Sequence, residues 1–129
     1  METRRAFRVD LELIVKCRID ESQRGSFRLI EGDQFDTQAI DISEKGVRVL
    51  SRYLIPRGLV LELDIDGKLF GLGHNIKTKS EVRYCETLKG LRKKNRLGLM
   101  FLDISEEDRQ AIARFVSSNE RREHTRIQL

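Results

Sequence analysis

Apolar and polar residues alternate with a period of two from the start of the chain. Phe7, Val9, Leu11, Leu13, Val15, Cys17 and Ile19 point one way, while Arg8, Asp10, Glu12, Lys16 and Arg18 point the other, and Ile14 alone breaks the pattern. Successive side chains of a strand face opposite sides, so this run predicts one long, half-buried strand. A polar turn around Asp20–Gly25 comes next, then strands over Ser26–Ile30 and Phe35–Ile42 with a Glu31-Gly32-Asp33 turn between them. Gly46–Leu50 is a short strand, with Val47 and Val49 on one face and Arg48 on the other. Leu59, Leu61, Leu63 and Ile65 alternate again. Asp66-Gly67 is a hairpin signal, and Leu69–Leu72 is the expected return strand. Ser80–Cys85 and Arg96–Leu102 complete the set, joined by a basic loop.

The period changes at the end. Ser105-Glu-Glu-Asp108 has a capping residue followed by acids in a first helical turn, where they favour the exposed amides and the helix dipole. Ile112, Phe115 and Val116 then make one apolar helical stripe. From Asn119 the chain is almost wholly polar and is expected to prolong the helix or fray. Six or seven short strands with tight connections favour an antiparallel sheet, and closure into a barrel removes exposed edges. The expected fold is all-β with a terminal helix: a β-barrel with a C-terminal α-helix laid over its open side.

Composition narrows the function. The 129 residues suit one domain, and 39% hydrophobic with 36% charged residues describe a modest core under a heavily ionised surface. The absence of a signal-peptide pattern or of a membrane-length apolar run makes the cytoplasm the expected location, without membrane insertion. Cys17 and Cys85 form no metal or disulfide pattern, and Cys17 sits in the apolar register of a small buried hydrophobe. His74 and His124 have no carboxylate or cysteine neighbours at ligand spacing, so no metal site and no cofactor are expected. No Walker, Rossmann or nucleophile-elbow pattern occurs, and an enzyme is not expected.

The net charge of +4 is unevenly placed: Arg4, Arg5 and Arg8 crowd the start, and Lys89, Arg92, Lys93, Lys94 and Arg96 form a second cluster. Guanidinium groups pair bidentately with phosphate or with the O6/N7 edge of guanine. A basic leader with no role is the plain alternative. Asp41-Ile-Ser-Glu-Lys-Gly46 lies between two strand-like runs, where Asp41 and Ser43 suit a turn and Gly46 permits a positive φ. Read for function, Asp41 offers an acceptor for a guanine N–H edge and Ser43 a hydroxyl.

Arg4 and Arg8 spaced as R-x-x-x-R before the first strand, followed by Asp41, Ser43 and Gly46 as D-x-S-x-x-G after a later one, resemble the PilZ family. Asn95-Arg-Leu-Gly-Leu-Met-Phe-Leu-Asp-Ile-Ser105 and the helix after it resemble that family's last strand and terminal helix. The resemblance covers about residues 4–118, leaving 119–129 as a polar tail. It implies a six-stranded antiparallel barrel that binds cyclic di-GMP, with Arg4, Arg5 and Arg8 on phosphates and guanine edges. Asp41 and Ser43 would then hold a guanine, and Gly46 would shape the turn. A receptor that changes conformation on binding, to regulate motility, biofilm or exopolysaccharide systems, is the expected function. It would act through a downstream protein partner, as a monomer or a ligand-dependent dimer. Two alternatives stand beside it: a ligand-independent adaptor of the same fold for pilus or flagellar machinery, and a basic barrel for single-stranded nucleic acid. The second needs aromatic platforms, and aromatics are only 6% of the chain.

Overall fold

The structure, a computed structural model, describes residues 9–25, 32–90 and 94–127, with side chains described for 13–25, 32–90 and 94–119. Six strands run β1 (Val9–Ile19), β2 (Gln34–Ser43), β3 (Gly46–Ser51), β4 (Val60–Ile65), β5 (Ile76–Thr87) and β6 (Asn95–Phe101), and one helix, α1 (Glu106–Ile127), ends the described chain. The strands close in the order β1-β2-β3-β6-β5-β4, every neighbouring pair antiparallel. Closure hydrogen-bonds both sides of each strand and leaves no edge for another chain to extend.

Alternation decides what fills the barrel. Val15, Cys17 and Ile19 from β1 meet Phe35 and Ala39 from β2, Val47 and Val49 from β3, Leu61, Leu63 and Ile65 from β4, and Leu97 and Leu99 from β6, all buried. Ile14, the residue that breaks the pattern of β1, faces solvent at 53% exposure. Cys17 is the small buried hydrophobe its register indicates, and burial pushes its thiol up to about 12. Thr37, also buried, satisfies its hydroxyl by donating to the Val15 carbonyl at 2.9 Å.

The helix starts where the acids stand. Ser105 Oγ accepts the Asp108 amide at 3.1 Å, and Glu106, Glu107 and Asp108 occupy the first turn. Ala111, Ile112 and Val116 are buried beneath it, and α1 packs against β1, β2 and a short 3-10 helix, Lys68–Phe70. The helix continues through the polar segment to Ile127.

That 3-10 helix corrects one expectation, since Leu69–Leu72 is not the return strand of a hairpin. Phe70 is buried and meets Phe115 of α1 edge to face, ring centroids 5.1 Å apart. A strand there would alternate past the helix, whereas one 3-10 turn closed by left-handed Gly71 (φ 77) drops Phe70 beneath it. The returning strand is β5, beginning at Ile76. The expected strand at Ser26–Ile30 lies outside the described residues.

Candidate functional site

The Asp41–Gly46 segment is the β2–β3 hairpin. Ser43 pairs with Gly46, Glu44 and Lys45 form the turn, and Ser43 Oγ accepts the Lys45 amide at 3.2 Å. Gly46 corrects a second expectation, because its φ is not positive. A Cβ there would stand 2.1 Å from the Leu99 carbonyl oxygen on β6. Glycine is required at this position for close strand approach, not for turn conformation. Glu44 ion-pairs with Arg109 of α1, and the Phe101 amide donates to the Lys45 carbonyl at 2.9 Å, so the turn is tied to both helix and barrel.

Strict alternation after Phe35, Thr37 and Ala39 would turn Asp41 into the core. It does not, because the β2–β3 register shifts between Ala39 and Asp41, where Ile40 is the extra residue. Such a bulge reverses the facing of the residues beyond it. Asp41 thus lies opposite Arg48, an outward residue of β3. Arg48 Nε donates to Asp41 Oδ1 and Oδ2 at 2.9 Å each, and Nη2 donates to Oδ2. The Asp41 side chain is 4% exposed and that of Arg48 36%. These hydrogen bonds hold the guanidinium well above the usual arginine range against the cost of its partial burial, and Tyr84 adds a further one.

A second bulge places Tyr84. The β5–β6 register shifts between Val82 and Tyr84, so Arg83 is the extra residue and Arg83 and Tyr84 both face outward. Tyr84 pairs with Gly98, and a Cβ on Gly98 would stand 2.2 Å from Tyr84 Cε2, so the ring lies across a bare stretch of β6. Arg48 pairs with the same Gly98 from the other side. One row therefore crosses four strands on the outer surface: Asp41, Arg48, Gly98, Tyr84.

Beside this row is an open depression of about 400 Å³ lined by Lys45, Gly46, Arg48, Arg83, Tyr84, Gly98, Leu99 and Met100. Its volume lies within the range of small-molecule sites. Among these lining residues three are cations and none is an acid, and the glycines leave backbone as floor. A larger depression of about 500 Å³ lies over β1, β4 and β5, where Lys16, Arg18, Lys77 and Lys79 alternate with Glu62 and Asp64. Its charges already answer each other, Arg18 with Glu62 at 2.9 Å and Lys79 with Asp20 at 3.3 Å. Size favours the larger depression, but charge and the presence of the motif turn favour the smaller.

Arg4, Arg5 and Arg8 lie outside the described residues. The chain they belong to joins β1 at Val9, which pairs with Ile42, and Asp10 pairs with Asp41, so the described chain begins beside the motif strand. Arg48 and Arg83 do not stand out in the sequence. Their signal is weak, since a lone arginine in a strand reads as solvated surface until bulges and pairing are known. Local spacing also misjudges His74. Its Nε2 lies 2.8 Å from Asp108 Oδ1, 34 residues away, and with Glu107 these donor atoms fall within 4.8 Å of one another. This pair fastens the loop before β5 to the first turn of α1, and the Asp108 hydrogen bond pushes the His74 pKa up.

A family model described as the PilZ domain matches residues 2–118. A search of curated proteins found no match. Among solved structures, the Bacillus subtilis inhibitor of motility MotI/DgrA superposes with TM-score 0.71 at 22% identity, over 93% of this chain and 52% of that one. The PilZ domain of Escherichia coli YcgR with c-di-GMP gives 0.59 at 16% identity, over 98% of both chains. K. pneumonia MrkH gives 0.66 at 15% identity, over 98% of this chain and 54% of that one. The chain thus spans about half the length of MotI/DgrA and of the MrkH chain. With a closed six-stranded barrel and a covering helix, and with the family match running over nearly its whole length, the chain belongs to the PilZ domain family.

Proposed function

We propose that this domain is a receptor for cyclic di-GMP, taking the ligand on the outer surface of β2, β3, β5 and β6. The observation that carries the reading is the placement of the Asp41-Ser43-Gly46 hairpin at the rim of a depression lined by Lys45, Arg48 and Arg83. A dianionic dinucleotide with two purines needs cations for its phosphates and flat apolar surface for its bases. Arg4, Arg5 and Arg8 are assigned to the phosphates and guanine edges, Asp41 and Ser43 to the fixed wall, and Gly46 to the close approach of β3 and β6. Charge-assisted hydrogen bonds between these arginines and the ligand phosphates would supply much of the binding free energy. A change of conformation on binding is the signal we assign to the receptor, read by a protein partner in the cytoplasm. Support comes from the family and from the YcgR PilZ domain, whose structure contains c-di-GMP.

Isothermal titration of the chain with cyclic di-GMP is expected to show saturable binding. Arg8→Ala is expected to weaken it by one to two orders of magnitude, a charge-assisted pair contributing about 1.5–3 kcal/mol. Heat of dilution alone, from folded protein, would rule the reading out.

A further inference from the structure

The second basic cluster of the sequence has no part in the site above. Its described members, Lys89, Lys94 and Arg96, stand at the far end of β6 from the Gly46 hairpin, for Gly46 pairs with Met100 and Ser51 with Asn95. The Leu88 amide donates to the Lys94 carbonyl at 3.1 Å and closes the base of the β5–β6 loop. β3 and β4 are not neighbours in the barrel, so the 52–58 loop that joins them crosses this same end. Arg52 and Lys94 flank the Ser51–Asn95 pair on adjacent strands, which brings the two loops side by side. Tyr53 packs edge to face on Phe35, centroids 5.4 Å apart, and Ile55 is 1% exposed. Leu54, held between these two anchors, is 67% exposed, more than any other large hydrophobic residue described. Arg52, Arg57, Lys89 and Lys94 are exposed and have no ion-pair partner among the described residues, whereas Arg96 is paired with Glu86 at 2.8 Å. No acid occurs in 50–58 or in 87–96. Of the acids in the turn after β1 and before β2, Asp20 and Asp33 are already paired with Lys79 and Arg24.

We propose that this end of the barrel is a peripheral docking surface for an anionic phospholipid bilayer. Arg52, Arg57, Lys89 and Lys94 lie on the headgroup phosphates, and Leu54 enters the boundary between headgroups and acyl chains. The domain rests on the bilayer and does not cross it. Two weak signals acting together are what such attachment takes, since a few cations or one apolar group alone hold a protein only transiently. The make-up of the surface selects the partner. Single-stranded nucleic acid needs exposed aromatic platforms, but the Tyr53 ring is engaged by Phe35 on one side and has the Arg52 guanidinium 5.7 Å from its centroid. A protein interface centres on aromatic or arginine anchors within a packed apolar patch, whereas here one aliphatic side chain projects among free cations. That pattern suits a surface with phosphates outside and hydrocarbon just beneath. The Gly46 hairpin lies at the other end of β3, so docking leaves the depression beside it open.

The test is co-sedimentation of the whole chain with vesicles of phosphatidylcholine alone or of equal parts phosphatidylcholine and phosphatidylglycerol, folding being checked by circular dichroism. Wild type is expected to bind the anionic vesicles only, and less as salt rises. Replacing Lys89 and Lys94 together by Gln is expected to weaken binding about ten- to thirty-fold. The same change at Lys16 and Lys77, which removes equal charge from another face, is expected to weaken it less than about two-fold. Leu54→Ser is expected to cost about five- to thirty-fold. The chain has no tryptophan, so Leu54→Trp carries a single probe. Its emission is expected to shift to the blue on anionic vesicles and to be quenched by lipid with brominated acyl chains, whereas Ile14→Trp, on the side of β1, is unaffected. Wild type that ignores both vesicles, or takes both alike, would overturn the proposal. Equal loss from the Lys16/Lys77 and Lys89/Lys94 changes would show attraction by net charge without a docking surface. A Leu54→Trp probe left unquenched on bound vesicles would show that the surface reads charge alone, which refutes the lipid assignment in favour of an acidic macromolecule. No dinucleotide enters the assay, so its result and that of the receptor reading are independent.

Discussion

Gly46 shows how one atom can decide both stability and site. A methyl group there meets backbone, the Leu99 carbonyl, which cannot rotate aside as a side chain can. The β3–β6 pair must part or the hairpin must tilt. Gly46→Ala is therefore expected to destabilise the fold by about 1–3 kcal/mol, as overpacking does, read as a lower urea midpoint at unchanged slope. An unchanged midpoint would show that β3 and β6 have room to spare. This residue is visible in the sequence as a motif glycine, yet the reason for it is not. A turn glycine and a close-approach glycine look alike until pairing with Met100 brings the Leu99 carbonyl against Gly46. Asp41 is visible likewise, but its bond to Arg48 is hidden by the bulge at Ile40.

Elements carry the next level of the account. The long alternation of β1, the alternation of β4 and the capped helix are legible, because each rests on a local period or a local cap. The 3-10 turn at Lys68–Phe70 is not, because only the position of Phe115 on α1, 45 residues on, requires Phe70 to point there. The loop after it is held to α1 by His74 and Asp108. Asp108 raises the pKa of His74 above its ordinary 6.5, so the folded state binds that proton more tightly than the unfolded state. The stability from this pair is therefore fully present below about pH 6.5 and is lost as pH rises through the raised value. Urea midpoints measured from pH 5.5 to 8.5 are expected to fall across that window in wild type relative to His74→Gln. Parallel profiles for the two proteins would show that the pair contributes nothing.

On the closed barrel, two of the surface depressions differ in charge balance, and the function depends on which one takes the ligand. Over β1, β4 and β5 four cations are nearly balanced by Glu62, Asp64 and Asp103. Across β3, β5 and β6 three cations stand round a floor of glycine backbone, next to the hairpin that carries the motif. Clustered cations draw an anionic ligand by their summed field, whereas alternating charges extinguish it within a short distance. Among the described residues no helix is long and apolar enough to cross a membrane, and α1 packs its buried face on β1, β2 and the 3-10 turn. The measurement that tests this most directly is a two-dimensional amide NMR titration of the chain with cyclic di-GMP. Saturable shifts are expected at residues 41–48, 83–84 and 98–100, with Lys16, Arg18, Lys77 and Lys79 undisturbed. Shifts centred on those four residues, or none at saturating ligand, would contradict it.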